Sequence, residues 1–385
     1  PRSLSPSASW LGPCSVTPAC PMVAPSGTDL AVAPCELASS GAEWVSPAVS
    51  VAKELGGGKG RGLVLAHPVA ALDVLIVARA FVMAPVETLH AETLRLLAEE
   101  DSDRRRRAQF LALSGGADDH PDVDMGLYLG DPFADEAGEV DEARVKSILQ
   151  TNGRDMGPGA AADVGRDLLS EGNDAKPSSA DGLVGVWLLP SLLNHSCAPT
   201  TGSIYLGDST VCVFAARDLP AGAELTDSYG DLFRPKMQRT KELCAQKGFT
   251  CSCSRCEAEA KLPDVAVNGI LDRQFSADLR LRKDGHAAVE KWAEEVKFVR
   301  SAMDTIVGNV LEGASDSPDE PFLRAAFLEA ELVATRTLCT VTEARPGTLH
   351  LCPRGAVAGM RAGASVEAVA PWSAPHAEVL WAALQ

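Results

Sequence analysis

Residues 251–256 read Cys-Ser-Cys-Ser-Arg-Cys, and three thiols within six positions limit the fold more than anything else in the chain. A C-x-C-x-x-C run can supply three corners of a zinc tetrahedron, and a structural site needs a fourth donor. That donor must come from elsewhere, so two distant segments have to meet. Cys197 is the best candidate: it ends the run Asn194-His195-Ser196-Cys197, whose polarity is wrong for an ordinary buried cysteine. Cys244 and Cys212 are the rivals, and Cys212 is the weaker because it falls in the middle of a strand pattern. The competing explanation is three free surface thiols or a redox pair. A zinc cross-link contributes on the order of 10 kcal/mol to folding in small domains. The remaining cysteines of the eleven are scattered, which looks like metal binding and not like a secreted disulfide framework.

Around that knot the chain alternates in character. Residues 1–42 are rich in Pro, Ser and Ala and are expected to be disordered. From Trp44 short β-rich runs flank a glycine hinge, and "DVLIVARAFVM" supplies another strand. Residues 87–113 read as helical, and 140–150 as a short helix with Val145, Ile148 and Leu149 on one face. Between them ten Asp and Glu residues fall within 117–142 with no Lys or Arg. The ordinary reading is a solvated insertion loop; an acidic rim that guides a basic substrate is the sharper one. The Gly, Ala, Asp and Ser-rich stretch 157–182 reads as a further loop. Strands resume at "GLVGVWLLP", "GSIYLGD" and "STVCVFAARDL". Residues 262–340 are mostly helical, with Val289, Trp292, Val296, Val299 and Met303 at three-to-four spacing.

With 385 residues there is room for two or three domains. The 35 basic and 52 acidic residues give a net charge of −17, which argues against nonspecific nucleic-acid or anionic-membrane binding and favours a basic partner such as a lysine-rich peptide. The most apolar stretch, 63–86, is interrupted by His67, Asp73 and Arg79, so core strands are expected and no membrane span. The first residue is Pro, as in a fragment or a processed chain.

Four motifs in order, Gly-Arg-Gly at 60–62, Asn-His-Ser-Cys-x-Pro at 194–199, "AGAELTDSYGD" at 221–231 and C-x-C-x-x-C at 251–256, resemble a SET domain with its post-SET zinc cluster. The large insertion and helical C-terminus are similar to the SET and MYND domain family and to SET proteins with tetratricopeptide-like tails. No MYND-type finger is visible, since residues 91–180 contain no cysteine. The resemblance implies a mostly β SET fold of small sheets, split by an insertion, with a post-SET zinc site and an α-helical C-terminal region. The expected boundaries are 44–90 and 181–235 for the two SET halves, 91–180 for the insertion, 236–258 for the zinc region and 262–385 for the helical region.

For the site, the resemblance implies S-adenosyl-L-methionine bound by Lys59, Gly60, Arg61 and Gly62, by Asn194 and His195, by Ser191 and Leu192 just upstream, and by Asn152, Tyr229 and Phe249. Asn194 and His195 would offer amide and ring atoms to the cofactor. Structural zinc would sit on Cys197, Cys251, Cys253 and Cys256. The chain has three tyrosines: Tyr128 lies in the acidic insertion, Tyr205 in a strand pattern where packing explains it, and Tyr229 matches the family's catalytic position. A phenol near pKa 10 would orient a lysine amine and not act as a strong base. Glu224 is read as structural, holding the turn before Tyr229. The chain departs from the family at two places: Gly153 and Arg154 stand where a small residue and an aromatic follow the Asn, and Thr200 stands where an Asn follows the Pro.

The implied function is S-adenosylmethionine-dependent methylation of a protein lysine, on a histone or another protein, in the nucleus or cytoplasm. No direct nucleic-acid or membrane partner is expected. The alternative from another class is a SET scaffold without catalysis, serving as a protein-interaction module. The four arginines at 104–107 suit a charged helix face better than a nuclear-entry signal.

Overall fold

Short β runs cannot bury a face alone, and here they find partners on the far side of the insertion. The computed structural model describes residues 44–56, 59–99, 104–116, 127, 140–155, 183–206, 209–312, 317–344, 363 and 365–371. The expectations for 1–42, for most of the acidic stretch 117–139, for 157–182 and for Tyr128 lie outside the described residues.

One sheet runs in the order β1 (Trp44–Val45), β4 (Val74–Arg79), β10 (Thr210–Ala215), β9 (Thr201–Leu206). Its centre pairs Val77 with Cys212 and Ile76 with Val213, antiparallel. A second joins β2 (Val49–Leu55), β3 (Gly60–Leu65), β11 (Glu224–Asp227) and β8 (Asn194–His195). A third orders β5 (Val82–Pro85), β7 (Leu183–Val186) and β6 (Arg154–Asp155). Each sheet therefore joins strands from both sides of the insertion. Leu63, Leu75, Ile76, Val186, Trp187 and Leu193 of this core are almost completely buried, and each such side chain contributes roughly 2 kcal/mol.

The predicted helix over 87–113 is two helices, α1 (Leu89–Ala98) and α2 (Arg104–Leu111). The reason is electrostatic: Glu99, Glu100, Asp101 and Asp103 follow Ala98, and four carboxylates oppose the negative end of a helix dipole. Glu99 accordingly turns extended, with ψ 120°. The arginines of α2 are not a purely solvated face. Arg105 Nε donates to Leu127 O at 2.9 Å, and Arg106 Nη2 donates to Ala80 O at 2.9 Å. They clasp backbone carbonyls of the neighbouring segments. α3 (Glu142–Asn152) starts on Asp141, whose carboxylate accepts from Ala143 N, a side-chain N-cap, and buries Val145, Ile148 and Leu149.

After β11 come α4 (Lys236–Lys247) and α5 (Ser254–Glu259) on either side of the first two cysteines of the knot. The C-terminal helices are α6 (Asp264–Asp284), α7 (Val289–Leu311), α8 (Glu320–Ala325) and α9 (Leu328–Ala344). Val289, Trp292, Val296, Val299 and Met303 of α7 are buried, against α6 and α9. Leu328 and Leu332 of α9 share an apolar cluster with Cys197, Cys256, Leu232 and Phe233, so the helical region packs directly on the cysteine knot. Among the described residues no helix is long and apolar enough to cross a membrane.

Candidate functional site

The glycine-rich turn and the Asn-His-Ser-Cys run meet because β3 and β8 both flank β11. Gly60 opens β3, and Gly62 lies against Asn194: a Cβ at position 62 would sit 2.7 Å from Asn194 Nδ2 and 2.4 Å from Leu55 Cδ1, inside van der Waals contact. The close approach read from the sequence is thus made to the protein's own amide. Asn194 Nδ2 donates to Arg61 O at 2.9 Å and to Glu224 Oε1 at 3.2 Å. Glu224 Oε2 receives Lys59 Nζ at 2.6 Å. The glutamate read as holding its own turn therefore clamps three segments together. Thr200 cross-links the same region by donating to Glu224 O at 2.9 Å and pairing with Thr226, a bond that its smaller hydroxyl still makes.

These segments wall a cavity of about 690 Å³, within the range of small-molecule sites. Lys59 and Arg61 line one side, and Asn152, Ser191 and Leu192 another. Asn194, His195, Tyr229 and Phe249 complete it, and it reaches Cys251 and Cys253. Gly60 and Gly62 shape this wall without lining it. Asn152 is fixed by donating to Ser114 O at 2.8 Å and to Ile148 O at 2.9 Å. Ser191 Oγ is spent on Trp187 O at 2.7 Å. Arg61 donates through Nη2 to Ala112 O at 2.9 Å, while its buried Nη1 has no hydrogen-bond partner. A buried guanidinium nitrogen of that kind suits a carboxylate.

His195 differs from the sequence expectation in what its ring does. Its Nδ1 accepts from the Tyr229 backbone N–H at 3.0 Å, and its Nε2 lies 3.3 Å from Cys197 Sγ. Both ring nitrogens are engaged within the protein. With Nδ1 accepting, the proton sits on Nε2 and points at the sulfur. The imidazole couples the tyrosine loop to the cysteine knot.

Tyr229 follows β11, and its hydroxyl donates to Leu193 O at 2.6 Å. Its ring lies 5.4 Å from that of His195 and edge-on to Phe249 at 6.4 Å. Burial, with the charges of Asp227 and Glu224 added and Arg154 opposing, pushes its pKa up to about 12. The phenol is neutral at physiological pH and available only as a hydrogen-bonding group. The folded value lies above the unfolded value of about 10, so this burial stabilises the fold below pH 10, and that contribution is lost as pH rises through 12. An ultraviolet phenolate titration should therefore find one of the three tyrosines titrating near pH 12, and Tyr229→Phe should remove that step alone. A wild-type titration complete near pH 10 would contradict the buried phenol. Tyr205, in contrast, packs on Trp187 at 5.3 Å.

The four sulfurs of Cys197, Cys251, Cys253 and Cys256 all lie within 4.8 Å of one another, and Cys197 and Cys256 are 3.5 Å apart. A zinc tetrahedron with ~2.3 Å bonds has edges of ~3.8 Å, whereas a disulfide would need about 2 Å. Cys212 is buried in β10, where desolvation pushes its thiol up, and Cys244 is exposed; neither joins the cluster. The surroundings also fit an anionic metal–thiolate group. Arg239 Nε lies 3.3 Å from Cys197 Sγ, and Arg255 Nη1 donates to Cys197 O at 3.1 Å. Both guanidiniums are buried, and they share one carboxylate, Glu259, at 2.7 Å each. Two buried cations against one carboxylate leave a surplus positive charge beside the sulfurs, which thiolates would neutralise.

Sequence reasoning missed this Arg239, Glu259 and Arg255 triad; the one signal was the i,i+4 spacing of Arg255 and Glu259 in "SRCEAE". It also missed the ion pair of Arg154 with Asp227, with Arg154 Nη2 further donating to Pro190 O at 3.0 Å. Arg154 had registered only as a departure from an aromatic.

Residues 60–230 match the SET domain family. Histone-lysine N-methyltransferase SET5 of Meyerozyma guilliermondii is 47% identical over 110 residues, covering 27% of this chain and 23% of that protein. Histone-lysine N-methyltransferase SMYD3 of Homo sapiens is 40% identical over 84 residues, covering 21% and 19%. The matches thus span less than a quarter of either relative's own length. Among solved structures, the SET domain of LSMT bound to lysine and AdoHcy aligns over 90% of this chain and 88% of that one, at 11% identity and a TM-score of 0.32.

Proposed function

Because residues 60–230 of this chain match the SET domain family, we propose that it is an S-adenosyl-L-methionine-dependent protein-lysine N-methyltransferase. The observation that carries the reading is the convergence on one cavity of the Arg61 guanidinium, Asn194 and the neutral phenol of Tyr229. The named SET5 and SMYD3 relatives support it.

The cofactor, when bound, supplies a methyl group on a positively charged sulfur. Arg61 Nη1 is the group here that suits the cofactor's carboxylate, and Phe249 offers an apolar surface for its adenine. Asn194 holds the Arg61 carbonyl in place and retains its Oδ1 for the ligand's amino group. Tyr229 orients the incoming amine by hydrogen bonding and, at a pKa of about 12, does not accept its proton at neutral pH. That proton, on a group with pKa ~10.4 in water, leaves to solvent as the lysine is desolvated. Positioning then carries most of the acceleration. Cys197, Cys251, Cys253 and Cys256 would hold a structural zinc ion, which takes no part in the transfer and fixes one wall of the cavity.

The substrate is a lysine-bearing protein segment, from a histone or another protein of the nucleus or cytoplasm. The net charge of −17 favours a basic one. Calorimetry with S-adenosylhomocysteine, followed by transfer of labelled methyl to histones and to lysate proteins, tests the proposal. Binding and transfer are expected, with Tyr229→Phe lowering the rate by roughly 10²- to 10³-fold, as loss of one positioned hydrogen-bonding group does elsewhere. A well-folded protein that binds no cofactor would instead be a SET scaffold.

A further inference from the structure

Lys247 is the last residue of α4, which Gly248 ends in a left-handed conformation at φ 75°, a backbone turn that favours glycine. Its side chain is half-buried and belongs to two walls at once. One is the 690 Å³ cavity; the other is a smaller chamber of about 60 Å³ bounded by Thr151, Arg154, Ser191, Ser228 and Tyr229. Tyr229 stands in both walls as well. Lys247 Nζ donates to Thr151 O at 2.6 Å and lies 5.6 Å from the centre of the Tyr229 ring. Among the described residues no carboxylate pairs with it. The Arg154 beside it is itself paired with the Asp227 carboxylate.

The ordinary role of such a lysine is to cap a carbonyl and stack on an aromatic ring. Three facts go beyond that role. Among the described residues the amine has no counter-ion, it sits where the cofactor cavity and the chamber beside Tyr229 adjoin, and its environment resists its charge: burial, with Arg154 adding to it, holds the Lys247 amine below the usual lysine range. A nucleophile needs an uncharged amine, and the lysine of a substrate would have to reach the same place.

Resting on the methyltransferase reading, we propose that Lys247 is itself a methyl acceptor, modified in cis by the chain that carries it. The Lys247 ammonium first releases a proton to water. The lone pair of the neutral amine then forms a C–N bond to the methyl carbon of the cofactor's sulfonium. The C–S bond breaks, its electron pair stays on sulfur as a neutral thioether, and the product is an N-methylammonium. Because donor and acceptor share one chain, the step is intramolecular and needs no encounter with a second protein. A methylated Lys247 would be bulkier in the chamber and have one fewer N–H, so the mark would change the space open to an incoming substrate lysine.

The test uses the full chain, S-adenosylmethionine with a labelled methyl, and no other protein. Peptide mapping by mass spectrometry should locate one methyl group on Lys247, at a rate per chain that does not change on dilution, and Lys247→Arg should lose the label. A second readout needs no turnover: S-adenosylhomocysteine should slow acylation of Lys247 by acetic anhydride while leaving the exposed Lys53 and Lys241 unaffected. If S-adenosylhomocysteine binds and label enters histones or lysate proteins but never Lys247, or if bound S-adenosylhomocysteine gives Lys247 no protection, the self-acceptor proposal is wrong and the methyltransferase reading survives. If S-adenosylhomocysteine does not bind, both fall together.

Discussion

Replacing Cys197 with serine is expected to release the segment around 232–259 from the β sheets and to lower bound zinc from about one per chain to near none. The free energy at stake is on the order of 10 kcal/mol for a structural zinc site, against about 5–15 kcal/mol for the whole stability of a typical domain. Cys197 is the only one of the four sulfurs contributed from outside the 251–256 knot. Losing it removes the link between the knot and β8. The neighbouring residues magnify the loss. Arg239 loses the sulfur beside its Nε and keeps the Glu259 carboxylate, while the Arg255 bond to the Cys197 carbonyl does not depend on the sulfur. His195 loses the sulfur partner of its Nε2, while its Nδ1 still holds the Tyr229 backbone. Metal content by elemental analysis and the rate of proteolysis in 232–259 measure the effect. A Cys197→Ser protein with full zinc and unchanged proteolysis would show that the four sulfurs do not form one site.

Glu259→Gln should be the next most damaging change, although it removes no contact area. The carboxylate is 3% exposed and lies between two buried guanidiniums. Breaking a buried ion pair from one side costs about 3–5 kcal/mol because the remaining charge has no compensation. In a protein of this size that is a fall in melting temperature of roughly 5 °C. The sulfurs would still attract Arg239, so zinc should remain bound with affinity lowered about 10- to 100-fold, as when an outer-shell partner is lost. Melting and competition with a chelator separate the two effects. Wild-type melting would mean that the arginines are satisfied without Glu259, and the triad would be incidental.

The triad also shows where a sequence is silent. The four sulfurs were legible because metal coordination restricts residue type and spacing to a short menu, and Cys197 stood in a run too polar for a core. Tyr229 was singled out through the SET resemblance of its "LTDSYG" setting, and it lines the same cavity as Asn194. Arg255 and Glu259 were not, since an arginine and a glutamate four apart on a helix look the same on a solvated face as in a core. Only packing against Leu232 and Ala325, whose carbonyls accept from Arg255 at 2.7 and 3.2 Å, distinguishes the cases. Arg154 and Asp227 are 73 positions apart, and nothing local marks one as the other's partner. Lys247 gave no signal either, because its interest comes from the ring, the carbonyl and the cavity around it. The helical periodicity after residue 262 read well, since an apolar stripe on a long helix is visible in one dimension. The end of the first helix at Glu99 was missed because the charged run from Glu99 to Arg107 reads in one dimension as a solvated helix face.

The way the sheets are closed has a consequence for the newly made chain. A ribosome delivering this polypeptide releases Leu63, Leu65, Leu75 and Ile76 early, yet the strands that cover them, β10 and β11, end at residues 215 and 227. Until those residues emerge, β3 and β4 have only β2 and β1 beside them, and a row of aliphatic side chains stays open to water. Such contacts, far apart in sequence, close slowly, and exposed strand edges invite association with other chains. The cell's holdases would find their longest engagement with this protein during that interval, and a pause in translation before codon 227 would prolong it.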